Sequence, residues 1–320
     1  MADIVVQLDA DTIGYEAETT WGTDVATTRL AFPWDISRAT FRYDEHKESR
    51  KPVGSSIDPA AWKRKMRTVE LDVEGLLLDD KPSNSPFSFF LGSAPNGGTG
   101  IVTNYPDATT RNIRSKTVEC GYTWPSTDEY AQIKGLRGKR LEVRAVDYEV
   151  QVKASYIGKD FARTTTRAAA EPALPTTLPF DGYNDSTITL ATPTMDATEI
   201  SNLAVIIENT LAGEKKGKVG GTRSIGHSQI AGRKVYVEIE KDMVNDEWRD
   251  MLEASPDAAA ADVNVTWTLS KNAAAEFVKF TLSNCQIISQ ASLEFTADET
   301  EMKENYRLEA KTYELDVLTP

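Results

Sequence analysis

The feature that most constrains this chain is an alternating stretch that occurs twice. In Arg67-Thr-Val-Glu-Leu-Asp-Val-Glu74, Val69, Leu71 and Val73 alternate with Thr68, Glu70, Asp72 and Glu74. Side chains along a strand point to opposite faces in turn, so one face is apolar and the other acidic. A second copy, Arg233-Lys-Val-Tyr-Val-Glu-Ile-Glu240, sets Val235, Val237 and Ile239 against Tyr236, Glu238 and Glu240. A strand of this kind belongs in an antiparallel sheet with one face buried and one face in water. The expected fold class is therefore mainly β.

The pattern on either side of the two copies also repeats. Asp35-Ile-Ser-Arg-Ala-Thr-Phe aligns with Glu199-Ile-Ser-Asn-Leu-Ala-Val, and each is followed by a long charged, Gly-containing segment, 44–66 and 208–232. Both are expected to be loops, and long loops in compact domains are usually functional or disordered. After each acidic strand comes a short helix. In the first half it starts near Ser85-Pro86 and carries Phe87–Leu91. In the second, Asn245 caps a turn with Trp248, Met251 and Leu252 on one face. Further strands follow in each half: Val118–Trp124, Gly138–Arg144 and Val146–Tyr156, then Val263–Leu269, Phe277–Leu282, Ile287–Phe295 and Tyr306–Val317. The order predicts an internal duplication with four segments. These are an N-terminal arm over 1–34, a first domain over 35–160, an Ala/Thr/Pro-rich linker over 161–182 and a second domain over 183–320. Within the arm, Ile4–Leu8 suits strand addition to a neighbour, and Tyr15 and Trp21 are expected to tie the segment down by packing.

Charge and composition narrow the function. A net charge of −13 over 320 residues argues against a protein that grips phosphates. Cys120 and Cys285 stand far apart without metal-ligand spacing and read as buried thiols. The Met-Ala-Asp-Ile start lacks a secretory pattern, and no apolar run approaches the roughly 20 residues of a membrane span. Folding in a cytoplasm without membrane contact is expected. His46 and His227 lie at non-equivalent loop positions, and no nucleophile elbow, P-loop or dinucleotide fingerprint occurs. Carboxylates at i, i+2 and i+4 of a strand lie about 7 Å apart, too far for one ion without further loops. Neither an enzyme, a metal site nor a cofactor is expected.

Three stretches then resemble one family. They are Gly14-Tyr-Glu-Ala-Glu-Thr-Thr-Trp-Gly-Thr23, the strand pair from Gly135-Leu-Arg-Gly138 to Tyr156-Ile-Gly-Lys159, and the Ile200–Gly221 segment before Arg233. Together they resemble the tail tube proteins of long-tailed bacterial and archaeal viruses, in their larger, duplicated branch. The resemblance implies tandem β-sandwich domains, each with one flanking helix and each giving four strands to a continuous inner barrel. Three duplicated chains would make the usual six-domain ring, and rings would stack around a DNA channel. Implied partners are other copies of the chain, double-stranded DNA in passage, and the tape-measure, terminator and baseplate proteins of a virion tail assembled in the host cytoplasm.

Residue expectations follow. Glu70, Asp72, Glu74, Asp147, Glu149, Glu238 and Glu240 are candidates for a lumen face that repels DNA phosphates. Lys63, Arg64, Lys65, Lys215, Lys216 and Lys218 are candidates for ring-to-ring contacts with an acidic neighbour. Two alternatives stand beside this reading. One is another ring-forming tail, baseplate or secretion-tube component. The other is a surface- or carbohydrate-binding β-sandwich with Trp62, Trp124 and Trp267 as its only aromatic candidates.

Overall fold

The computed structural model describes residues 4–9, 12–18, 20–23, 29–32, 34–50, 61–78, 87–91, 101–104, 115–123, 128–146, 148–170, 172, 177–191, 197, 200–212, 229–242, 248, 250, 262–272, 276–294 and 303–318. The chain opens with β1 (Ile4–Asp9), β2 (Thr12–Ala17), β3 (Trp34–Arg50) and β4 (Ala61–Leu77), then the single-turn helix α1 (Ser88–Leu91). The first half continues with β5 (Ile101–Asn104), β6 (Lys116–Thr123), β7 (Asp128–Val146), β8 (Glu149–Gly158) and β9 (Asp160–Thr164). The second half holds β10 (Ser186–Ala191), β11 (Ile200–Ala212), β12 (Gln229–Asp242), β13 (Val263–Asn272), β14 (Glu276–Glu294) and β15 (Lys303–Leu318). The mainly β expectation holds.

One sheet runs through both halves in the order β1-β3-β4-β8-β7-β11-β12-β15-β14-β13-β10, and it curls into a half-barrel. Within it the first half contributes β3-β4-β8-β7 and the second β11-β12-β15-β14, the same order of first, second, fourth and third long strand. They join where β7 pairs antiparallel with β11, from Leu203 opposite Ala145 to Glu208 opposite Arg140. The alternation that marks the two acidic strands buries their apolar faces. Val69, Leu71, Val73, Val235, Val237 and Ile239 are all buried, alongside Leu141, Val143, Val150, Val152, Val205 and Leu308. Over the first-half core lie Phe87, Phe89, Phe90 and Leu91 of the α1 region, and a smaller ladder in which β2 pairs β6, and β6 and β9 pair the start of β7. In the second half Trp248 is buried and stacks on Tyr306 at 5.2 Å. The rest of the expected helix around Asn245, Met251 and Leu252 lies outside the described residues, as do Ser85 and Pro86.

Several boundaries differ from expectation. The segments 44–66 and 208–232 are not wholly loops, because β3 and β4 stay in register out to Arg50 opposite Ala61, and β11 and β12 out to Ala212 opposite Gln229. Charged residues are dense in the sequence of the β3–β4 end, and Gly232 and small or polar residues interrupt the β11–β12 end, so the alternation that marks a half-buried strand is lost while the hydrogen-bond ladder continues. Val146 to Tyr156 is not one strand. Val146 ends β7 and Tyr148 sits in the turn, 71% exposed, before β8 begins. The start of the segment expected as linker forms β9 on β7, and Phe180 near its end is buried. Cys120 and Cys285 are buried free thiols, both pushed up to about 12 chiefly by burial, which keeps them inert.

Candidate functional site

The face of the long sheet opposite the core is polar, and its charges interleave. Arg38 and Arg42 on β3 stand opposite Glu74 and Glu70 on β4, with Asp72 between them. Lys153 on β8 lies between Glu74 and Glu142. Across the joint of the two halves, Arg140 pairs with Glu142 at 3.0 Å and with Glu208 at 3.1 Å. Arg144 pairs with Glu142 at 3.0 Å and with Glu238 at 2.8 Å. Farther along, Arg307 approaches Glu238 at 3.9 Å and Lys303 approaches Glu240 at 3.5 Å. The Arg307 guanidinium also lies 4.0 Å from the centre of the Tyr236 ring, so its apolar stem and planar head cover an aromatic on this face.

Of the expected lumen carboxylates, Glu70, Asp72, Glu74, Glu238 and Glu240 therefore share one face. Glu149 is exposed at the rim, where β8 leaves its turn. Asp147 lies outside the described residues. The face is not the acidic surface that β4 and β12 suggest by themselves. Cations on β3, β7, β8 and β15 are brought beside the carboxylates by register, which the sequence of a single strand does not reveal. Lys63, Arg64 and Lys65 fall on the backbone of β4 near its hairpin end. Lys215, Lys216 and Lys218 lie outside the described residues.

Two shallow concavities of about 340 and 330 Å³ mark this face, one in each half. The first is lined by Arg38, Asp72, Glu74, Arg140, Lys153 and Ser155, the second by Asn202, Glu238, Glu240, Ser289, Asn305 and Arg307. The registers make these equivalent positions, member by member: Asp72 is to β4 what Glu238 is to β12, and Lys153 is to β8 what Asn305 is to β15.

The Glu142 carboxyl has a resolved response to this setting. Burial pushes its pKa up, but hydrogen bonds from Arg144 and Arg140 outweigh burial and hold it below the usual 4.5. A depressed folded pKa gives stability that is complete above the unfolded value and lost as pH falls through the folded one. Unfolding free energy should therefore drop as pH falls below the usual 4.5, and Glu142→Gln should flatten that part of the curve. Chemical denaturation of both proteins across this range measures it.

A second cluster, unanticipated as a site, holds the N-terminal segment to the first half. Glu18 accepts four hydrogen bonds. Gly135 N (2.7 Å) and Thr117 Oγ1 (2.9 Å) donate to Oε1, and Gly22 N (2.7 Å) and Ser115 Oγ (2.6 Å) donate to Oε2. Trp21 Nε1 donates to Gly135 O at 3.2 Å, and Lys159 Nζ lies 4.6 Å from the centre of the Trp21 ring. Gly22 and Gly135 have φ of 72° and 68°, in the left-handed region that a side chain would strain. Tyr15 is fully buried on β2 against Phe32 and Phe89. Tyr15 and Trp21, the packing candidates of this segment, make these contacts. Two of the stretches that carry the family resemblance, 14–23 and 135–159, thus meet in space.

The described part of the face presents ion pairs between strands. Among the described residues no group of three or more His, Cys, Asp and Glu could hold a metal ion, and no helix is long and apolar enough to cross a membrane. Trp267 is buried, donates its indole N–H to Ser186 Oγ at 2.8 Å and stacks on Phe280, so it is not free to line a sugar-binding groove. Trp124 lies outside the described residues, and Trp62 falls on the backbone of β4.

No curated protein matches the chain significantly. The family model described as phage tail tube protein matches residues 11–299, nearly the whole chain and across both halves. A sheet-built subunit with a long charged face and this match has one assignment: the chain belongs to the phage tail tube protein family and is a structural protein of a virus tail.

Proposed function

We propose that the chain assembles into stacked rings, three copies to a pseudo-sixfold ring, that form the hollow tube through which the genome leaves the virion. The observation that carries this reading is the joint between β7 and β11. Two sets of four long strands in the same order are already fused edge to edge within one chain, as the product of an internal duplication would be. Three chains then give ~24 strands. At ~4.8 Å spacing and ~40° tilt these close into a barrel about 48 Å across between backbones, which leaves room for duplex DNA after side chains. With the other face committed to the core, the charged face is the one that lines the channel. Interleaved Arg and Glu leave no continuous cationic track, so phosphates find nothing to hold them as they pass.

The two long hairpins, β3-β4 and β11-β12, are the candidates for ring-to-ring contacts. Assembly in the host cytoplasm, and contacts with tape-measure, terminator and baseplate proteins, complete the reading. Negative-stain electron microscopy of concentrated protein, with native mass spectrometry, tests it. Hollow rings or tubes and a closed species of about 106 kDa, three 35.3 kDa chains, are expected. A chain that stays monomeric even with a tail initiator present contradicts the proposal.

A further inference from the structure

The joint inside the chain also reports how two chains must meet, and the N-terminal strand sits in that seat. This inference rests on the ring reading above. On β11, β7 covers residues 203–208. β3 corresponds to β11 because Phe41 faces Leu71 on β4 as Val205 faces Val237 on β12. The covered positions on β11 therefore correspond to 39–44 on β3. On β3, the segment 40–45 is covered by β1, antiparallel, as β7 is to β11. Apolar register positions match as well. Val6 and Leu8 stand opposite Tyr43 and Phe41, where Leu141 and Val143 stand opposite Ile207 and Val205.

Among the described residues the complementary edge has no partner at the other end of the sheet. Ser289 of β14 faces Arg307 as Arg140 of β7 faces Ser155. Beyond Cys285, β14 pairs only with β15 among the described residues, because its ladder with β13 ends there. By equivalence with β7, residues 289–294, which correspond to 140–144 because β14 bulges by one residue between Gln290 and Leu293, are the segment that a second copy would lay on β3. One strand edge accepts one partner, so β1 and the β14 of a neighbour compete for the same backbone groups.

We propose that β1 is an exchangeable plug. In the isolated chain it pairs in cis with the ring-closing edge of β3 and guards it against unspecific strand pairing. On assembly, β14 of a second copy displaces it. The strand that suits addition to a neighbour's edge thus holds its own chain's edge until a neighbour arrives.

A reversible lock tests this. Gln7 and Arg42 are directly opposed across the β1-β3 ladder, at a spacing a disulfide can bridge. The full-length double variant Gln7→Cys/Arg42→Cys is expected to form no rings when oxidised and to form them after reduction. Val6→Asp/Leu8→Asp, which weakens β1, is expected to lower the protein concentration for ring formation by about tenfold, roughly the effect of 1.4 kcal/mol less to displace. Oxidised protein that assembles at the wild-type concentration overturns the plug and leaves the ring reading intact. The same holds if the aspartate variant assembles at a higher concentration than wild type, since β1 would then be part of the seam. Wild-type protein that never forms rings takes both readings down together.

Discussion

Replacing Glu18 by alanine is expected to destabilise the protein by about 3–4 kcal/mol. The carboxylate is the common acceptor for the amides of Gly22 and Gly135 and the hydroxyls of Ser115 and Thr117, all within 2.9 Å. The hydroxyls can rotate toward other partners, but the two amides are fixed by backbone whose φ is already unusual. Each donor left buried without an acceptor costs about 1–3 kcal/mol, and a charged acceptor lies at the upper end. Glu18→Gln keeps one oxygen and turns an NH2 toward two donors, so it should lose about half as much. Thermal melting should show Glu18→Ala about 5 °C or more below wild type, with Glu18→Gln between them. Equal melting of all three would mean that Glu18 does not hold the 12–23 segment to the first half.

Asn209→Leu is expected to cost about 3 kcal/mol, from a different kind of loss. Asn209 is buried on β11, in the second half, and its amide bridges to the first. Nδ2 donates to the carbonyls of Phe90 and Gly138, both at 3.0 Å, and Oδ1 accepts from Arg233 Nε at 2.7 Å. Arg233 itself donates to Phe90 O at 2.6 Å and to the Tyr313 hydroxyl at 3.2 Å. Leucine conserves the volume but strands one carbonyl and weakens the hold on the guanidinium. Aspartate separates two accounts of this network. If only the link to Arg233 mattered, Asn209→Asp would be neutral or stabilising. Because an aspartate takes the donor from Gly138 O and sets a carboxylate beside both carbonyls, it should destabilise as well. Urea unfolding of the two variants decides between them, with both midpoints below wild type as the expected result.

The periodicity of Arg67–Glu74 and Arg233–Glu240 was enough to place β4 and β12, to assign their buried faces and to indicate a mainly β chain. That signal is local, because a strand with one face in the core must alternate. The hairpin ends were not legible in the same way. Lys63, Arg64, Lys65 and Arg67 are charged at consecutive or nearly consecutive positions, so no period of two marks that part of β4. The meaning of the carboxylates was only half legible. Glu238 reads as acidic from its own strand, yet its partners are Arg144, far earlier in the chain, and Arg307, far later. Register across three strands, rather than any motif, makes the face balanced. Glu18 escaped for a similar reason. Within 14–23 it is one of two glutamates without a period to distinguish them, and its four donors come from three separate segments.

The central claim is that the Arg/Glu face of the long sheet lines a closed channel. The most direct test is a helical reconstruction of assembled tubes by electron cryomicroscopy, at a resolution that separates strands. The account predicts about 24 strands around the lumen, from three chains of eight long strands. It further predicts Arg144 and Glu238 facing the channel, and β14 of each chain beside β3 of the next. Tubes in which that face points outward, or in which subunits meet without strand pairing between β14 and β3, would contradict it.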